Sequence, residues 1–285
     1  MEIFQYDFML RAFAAGIIVG LICPVVGLFV ALRRMSMISD ALSHVCLAGV
    51  AAGLLSGVHP ILSASVFAVA GALGIEKLRD VFKAYSEISI AIILSMGIAL
   101  GAILLDLGKG YNASFMSYLF GSIVAINQTD LIIIAVTGLS ILGLVLLLKK
   151  ELFFISFDEE GAELSGMPVK IITITFTALT ALTIAIAIRV VGILLVSSLI
   201  VLPVAAAMRL AKSFREAMII SVILGEVAII IGLFASFYIN LAPGGAIVMT
   251  SVIILLFTLA LQQRRRYSDV KLVGERVPQG GDSQV

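Results

Sequence analysis

Gly16-Ile17-Ile18-Val19-Gly20-Leu21-Ile22-Cys23-Pro24-Val25-Val26-Gly27-Leu28-Phe29-Val30-Ala31-Leu32-Arg33-Arg34 is the stretch that decides the fold. No charge falls between Arg11 and Arg33. A helix needs about 20 apolar residues to cross the hydrocarbon core of a bilayer, so this is a membrane-crossing length closed by two arginines. The first span therefore reads as 8–32. The same pattern recurs near 40–56, 60–77, 87–107, 130–148, 170–188, 190–210, 216–239 and 245–262. Of the 285 residues 61% are hydrophobic and only 13% charged, and the mean hydropathy is +1.18. Soluble domains carry about 25% charged residues, so composition alone argues for a membrane protein. The expected fold is an all-α polytopic membrane protein of nine transmembrane helices, or eight, because only Arg189 marks a turn within 170–210.

Lysine and arginine placement orients the chain. All basic residues except Arg11, Lys109 and Arg189 fall in one set of loops, at 33–34, 77–83, 149–170, 209–215 and 264–276. The asymmetry predicts a multi-pass protein with the N-terminus outside and the C-terminus in the cytoplasm, which agrees with nine spans. The first span is too long for a cleaved signal peptide and lacks its basic start and small-residue cleavage site. Residues 1–262 form one transmembrane domain, and the polar tail 263–285, with Pro278, Gly280 and Gly281, reads as cytoplasmic and disordered. The net charge of +1 gives no reason to expect nucleic acid. Cys23 and Cys46 lie in apolar runs and read as small buried hydrophobes.

Two connections are more than turns. Residues 108–129 contain Phe115-Met116-Ser117-Tyr118-Leu119-Phe120, whose aromatics suit a short outer interfacial helix. On the cytoplasmic side, Ser156-Phe157-Asp158-Glu159-Glu160-Gly161-Ala162-Glu163-Leu164-Ser165-Gly166 has the Ser156/Glu159 spacing of a capping box, with Gly166 and Pro168 to stop the helix. A capped helix between two spans reads as a solvated connector or as an element that docks into a cytoplasmic partner.

Few residues here can carry chemistry. Asp40 and His44 stand one helical turn apart on one face, in a run that is otherwise almost wholly apolar. They read in two ways: as the first turn of a helix capped by Ser39, or as half of a metal site. One pair supplies two ligands. Two copies about a two-fold axis would supply two carboxylates and two imidazoles, a set that suits Zn²⁺ or, with added water, Mn²⁺. Weaker metal candidates are His59, in an outer turn, and Glu226, an acid inside the eighth span. Pro203 is a candidate hinge or a static kink.

Three blocks, in this order and spacing, resemble the permease subunits of bacterial ABC importers for zinc and manganese. They are Tyr6–Ala12 leading through Arg33-Arg34 to Ser39-Asp40-Ala41-Leu42-Ser43-His44; Phe157-Asp158-Glu159-Glu160-Gly161-Ala162 to Gly166; and Val191-Gly192-Ile193-Leu194-Leu195-Val196-Ser197-Ser198 to Pro203. Tyr118–Ser122 and Pro243–Val248 support the match, which covers residues 1 to about 262. The resemblance implies that Asp40 and His44 are metal-path ligands, and that the acidic helix couples the permease to its ATPase. It also implies an extracytoplasmic metal-binding protein and a place in the bacterial plasma membrane, while the metal reading of Asp40 and His44 calls for a second permease copy. No GxxxxGK[ST] run occurs, so ATP hydrolysis is expected in a separate ATP-binding subunit. HExxH and GxSxG are also absent, so no enzyme activity is expected. No cofactor is expected to be held permanently. Zn²⁺, or else Mn²⁺ or Fe²⁺, would be the transported ion, the rival reading being a secondary metal transporter or channel.

Overall fold

Inside hydrocarbon a peptide group finds no water to bond, so a crossing chain must satisfy its backbone within one segment. The computed structural model of the chain meets this requirement with helices alone. It describes residues 5–82, 85–108 and 113–274, and the side chains of these except at 86, 113, 114 and 263–274. In chain order the helices are α1 (Asp7–Leu32), α2 (Met37–Ser56), α3 (Pro60–Val81), α4 (Ser86–Leu107), α5 (Ala113–Phe120), α6 (Gln128–Leu147), α7 (Lys149–Phe157), α8 (Glu159–Leu164), α9 (Val169–Val191), α10 (Val196–Leu210), α11 (Phe214–Ile239) and α12 (Pro243–Gly274).

Among the described residues, eight helices are long and apolar enough to cross a membrane: α1, α2, α3, α4, α6, α9, α11 and α12. The predicted span 190–210 takes a broken form, running from the end of α5 back to the basic loop at 209–215. The first residues of 190–210 finish α9, Gly192 breaks the helix at φ +92°, and α10 begins only at Val196. Its 15 residues rise about 22 Å, short of the hydrocarbon thickness. The turn therefore sits after Arg189, where a glycine allows a backbone that other residues resist.

α1, α2 and α9 are the most enclosed helices, while α4, α6 and α12 turn most of their surface outward. That outer surface is apolar: Leu139 is 62% exposed, Ile253 61% and Ile103 58%. Such a periphery suits lipid. Around the centre, α2 packs on α3 and α4, α3 on α9, and α1 on α11, α6 and α10, with α10 and α11 backed by α12. The chain alternates direction, so the basic loops gather at one end, here called the basic end.

At the opposite end three backbones cross without side chains between them. Ile193 N–H donates to Tyr118 C=O at 2.9 Å and Leu194 N–H to Leu119 C=O at 3.3 Å. The non-helical leader of α10 is thereby satisfied by the end of α5. Gly121, Gly192 and Gly244 allow this approach: a Cβ on Gly192 would meet Leu119 O, and one on Gly244 would meet the carbonyls of Val191 and Phe120. The predicted interfacial helix is α5, but its aromatic face turns inward, with Phe115 and Tyr118 buried and Met116 and Phe120 on the outer side. α12 runs on past 262, the predicted start of the tail, to Gly274. Residues 275–285 lie outside the described residues.

The glycine crossing makes a contrast within one dipeptide. Gly244→Ala must push apart packed carbonyls and should cost about 1–3 kcal/mol. At Gly245 an added Cβ meets nothing within 4 Å, so Gly245→Ala should be close to neutral. Thermal unfolding of the purified chain in detergent compares the two, and equal melting temperatures would contradict the crossing.

Candidate functional site

The turn that carries Asp40 and His44 begins at the basic end. α1 stops after Leu32, Arg34 adopts φ +56°, and α2 restarts at Met37. Ser39 is not the cap that its position in the sequence invites. It is a buried residue within the helix, and Ser36 occupies the N-cap without a side-chain bond. On α2, Ile38, Ala41, Leu42, Val45 and Cys46 face the core, whereas Asp40, His44 and Leu47 form a stripe that is only partly buried. The two candidate ligands therefore share the open face of a helix whose other faces are gripped. A Cβ on Gly97 of α4 would lie 2.8 Å from Val45 N and 3.0 Å from the His44 carbonyl carbon. On the other side, Gly49 lies against Ala64 and Phe67 of α3.

Neither side chain has a hydrogen-bond or ion-pair partner among the described residues. His44 Nδ1 is buried and unsatisfied, while Ser43 Oγ donates to the Asp40 carbonyl at 2.7 Å and does not reach the carboxylate. Within the described residues of one chain, no three His, Cys, Asp or Glu gather closely enough to hold an ion. Asp40 and His44 remain a pair.

The weaker candidates lie elsewhere. Glu226 packs on Gly20 of α1, and its Oε1 is buried without a partner. His59 is the N-cap residue of α3, and its Nε2 stands 3.4 Å from Asp130 Oδ1. That contact belongs to a charged network that no sequence motif marks. Asp130, fully buried, accepts Arg189 Nε–H at 3.0 Å and the Asn127 N–H at 3.1 Å, while Asn127 caps α6 in return at 2.7 Å. Arg189 also donates to the Ala125 carbonyl, and its guanidinium lies 4.4 Å from the centre of the Tyr118 ring. Burial holds the Tyr118 phenol above its ordinary pKa, against the opposing pull of Arg189. Read alone, Arg189 marks a turn and Asp130 starts a helix. The signal available was opposite charge at the same depth on two spans.

At the basic end, the acidic segment folds differently from its predicted form. Ser156 Oγ bonds back to Leu152 C=O inside α7, so it cannot cap. Asp158 takes that place, in extended backbone, with Oδ1 accepting Gly161 N–H at 2.8 Å. The helix that follows is Glu159–Leu164. It ends in a Schellman motif: Gly166 N–H to Glu163 C=O, Met167 N–H to Ala162 C=O, and Gly166 at φ +80°. Ala162 is the buried anchor of α8, while Phe157, Glu160 and Leu164 face outward. Leu164 is 90% exposed. Glu159 is exposed as well, and it lines cavities with Phe157, Arg33 and Arg79 and, farther along, Glu76, Asp80 and Lys170. Burial lowers the Arg33 pKa, and Glu159 opposes that shift. Arg33 Nη2 donates to Thr173 at 3.1 Å and Lys170 pairs with Asp80, so α1, α3, α8 and α9 meet around these charges. Pro203 lies buried inside an unbroken α10.

The comparisons with known proteins agree on one family. A model described as the ABC 3 transport family matches residues 5–262. A probable metal transport system membrane protein of Treponema pallidum is 35% identical over 91% of this chain and 97% of its own length. The manganese transport system membrane protein MntC of Listeria monocytogenes is 33% identical over 88% and 89%, and the high-affinity zinc uptake system membrane protein ZnuB of Haemophilus influenzae 31% over 92% and 100%. Among solved structures, PsaBC from Streptococcus pneumoniae in complex with Fab superposes with a TM-score of 0.83 at 32% identity, over 94% of this chain and 97% of the other.

The buried ion pair makes a sharp stability test. Asp130→Asn leaves the Arg189 cation buried with its main counter-charge gone, which should cost about 3 kcal/mol or more. Arg189→Met combined with Asp130→Asn should recover part of that loss, because neither charge is then stranded. A double variant as unstable as the sum of the single ones, in denaturation of the purified chain, would mean that the two charges do not interact.

Proposed function

The chain belongs to the ABC 3 transport family, and from that footing we propose that it is the permease of an ATP-driven importer for a divalent transition metal. The observation that carries the reading is the pairing of Asp40 with His44 on the open stripe of α2. Both are unpartnered, and they sit in a helix otherwise held from two sides. A carboxylate and an imidazole in apolar surroundings are costly to maintain without a ligand. Two copies of the chain, meeting along this stripe, would bring two of each to one ion, a tetrahedral set for Zn²⁺. Zn²⁺ is the first choice because imidazole suits it. Mn²⁺ is the second reading, favoured by the relatives named for manganese.

In the proposed arrangement the basic end faces the cytoplasm, which puts the N-terminus outside. An extracytoplasmic metal-binding protein would release the ion at the opposite end, and the ion would pass between the two copies. A separate ATP-binding subunit would grip α8. Outward-facing Phe157, Glu160 and Leu164 form its contact surface, Asp158 and Gly166 fix the two ends of the helix, and buried Ala162 ties it to the bundle. Glu159, beside Arg33 and Arg79, would pass the movement to them. Pro203 deprives Leu199 C=O of its helical donor and is the hinge proposed within α10. His59 is assigned to the Asp130 network and given no part in the ion path, and Glu226 receives no role.

Uptake of radioactive Zn²⁺ or Mn²⁺ into liposomes holding the permease, its ATP-binding subunit and the binding protein tests the assignment. Asp40→Ala and His44→Ala should each lower ATP-dependent uptake by at least about tenfold while membrane insertion and melting temperature hold. Transport at the unaltered rate in both variants would remove the pair from the path. Glu160→Lys should uncouple transport from ATP without unfolding the chain. Full transport in that variant, or transport without the ATP-binding subunit, would favour a secondary transporter.

A further inference from the structure

α6 ends at Leu147, and Lys149 and Lys150 follow at once as the first residues of α7. α11 begins at Phe214, with Arg215 in its first turn. Both helices are apolar spans of membrane-crossing length, so all three cations stand at the level where hydrocarbon gives way to headgroups. None of the three has an ion-pair partner among the described residues. Between them runs an open groove of about 630 Å³, with Phe153, Met218 and Ile219 along its wall and no acidic residue in its lining. Ile219 is 50% exposed, and Leu147, just above, is 77% exposed. The nearest acids in sequence, Glu151 and Glu216, do not line the groove; Glu216 accepts the Lys212 N–H, and Glu151 Oε2 is buried.

We propose that this groove is a binding site for one anionic glycerophospholipid of the surrounding bilayer. Its phosphate would sit among Lys149, Lys150 and Arg215, and an acyl chain would lie along Phe153, Met218 and Ile219. Charge complementarity selects the ligand. Three unneutralised cations call for an anion, and the apolar wall running from them toward the lipid-facing surface calls for a hydrocarbon chain on that anion. Basic pockets between spans at the headgroup level have this chemistry. A soluble anion would leave the apolar wall bare, and a neutral lipid would leave the cations unpaired. The proposal depends on neither the transported ion nor Asp40 and His44.

Native mass spectrometry of the full chain, exchanged in detergent with equimolar phosphatidylglycerol and phosphatidylcholine, tests it. One phosphatidylglycerol should be retained per chain, preferred over phosphatidylcholine by about tenfold or more. Equal retention of the two lipids would overturn the proposal without any variant. The K149Q/K150Q/R215Q variant, checked for an unchanged melting temperature, should lose the preference. Met218→Trp, which fills the groove but keeps the cations, should lose the bound lipid, and retention in either variant would count against the site. Displacement of the lipid by an equal concentration of glycerol phosphate would make this a site for soluble phosphate and refute the lipid. Loss of the lipid whenever the chain is purified with its ATP-binding subunit would give the groove to a protein partner and refute it too.

Discussion

A peptide group left unbonded in hydrocarbon costs several kcal/mol, and that constraint decides where this chain may stop being a helix. It stops between spans at the two ends of the bundle, and the stop at Gly192 lies at the end opposite the basic one. The last break falls among packed helices, yet its amides are not stranded. The carbonyls at the end of α5 receive them, and three glycines remove the side chains that would keep the backbones apart. The short helix α10 is therefore tolerable only because α5 and the start of α12 are already in place. Pieces far apart in sequence are tied to one local need.

Charge obeys the same rule. Arg189 and Asp130 are both buried, and each is supplied with further bonds: the Ala125 carbonyl and the Tyr118 ring for the cation, and the Asn127 amide for the anion. The pair joins α6, α9 and the start of α3 at a place where no charge could stand alone. Asp40, His44 and Glu226 differ, since nothing on the described chain satisfies them fully.

Much of this was legible in the residues because burial in lipid leaves a coarse trace. Length and hydropathy located every long span to within a few residues, and basic residues marked one end of the bundle. What escaped was set by short-range backbone geometry. Ser156 and Asp158 both have the chemistry of a cap, and only the bond of Ser156 to its own helix leaves the role to Asp158. Ser39 has the same chemistry, but α2 starts too early to use it. Leu164 read as one more apolar residue, and only its exposure distinguishes it. The Asp130–Arg189 pair spans 59 positions, a distance over which periodicity carries no signal.

The close approach of Gly97 to the His44–Val45 backbone has a mechanical consequence. With Gly49 seated on α3 from the other side, α2 has no freedom to roll about its own axis. α2, α3 and α4 thus behave as a slab, and Asp40 and His44 are fixed to it like teeth on a bar. In the proposed pairing of two copies, the gap between such a pair and its counterpart would change by displacement of whole slabs. A small tilt originating at the basic end would therefore arrive at the pair undiminished.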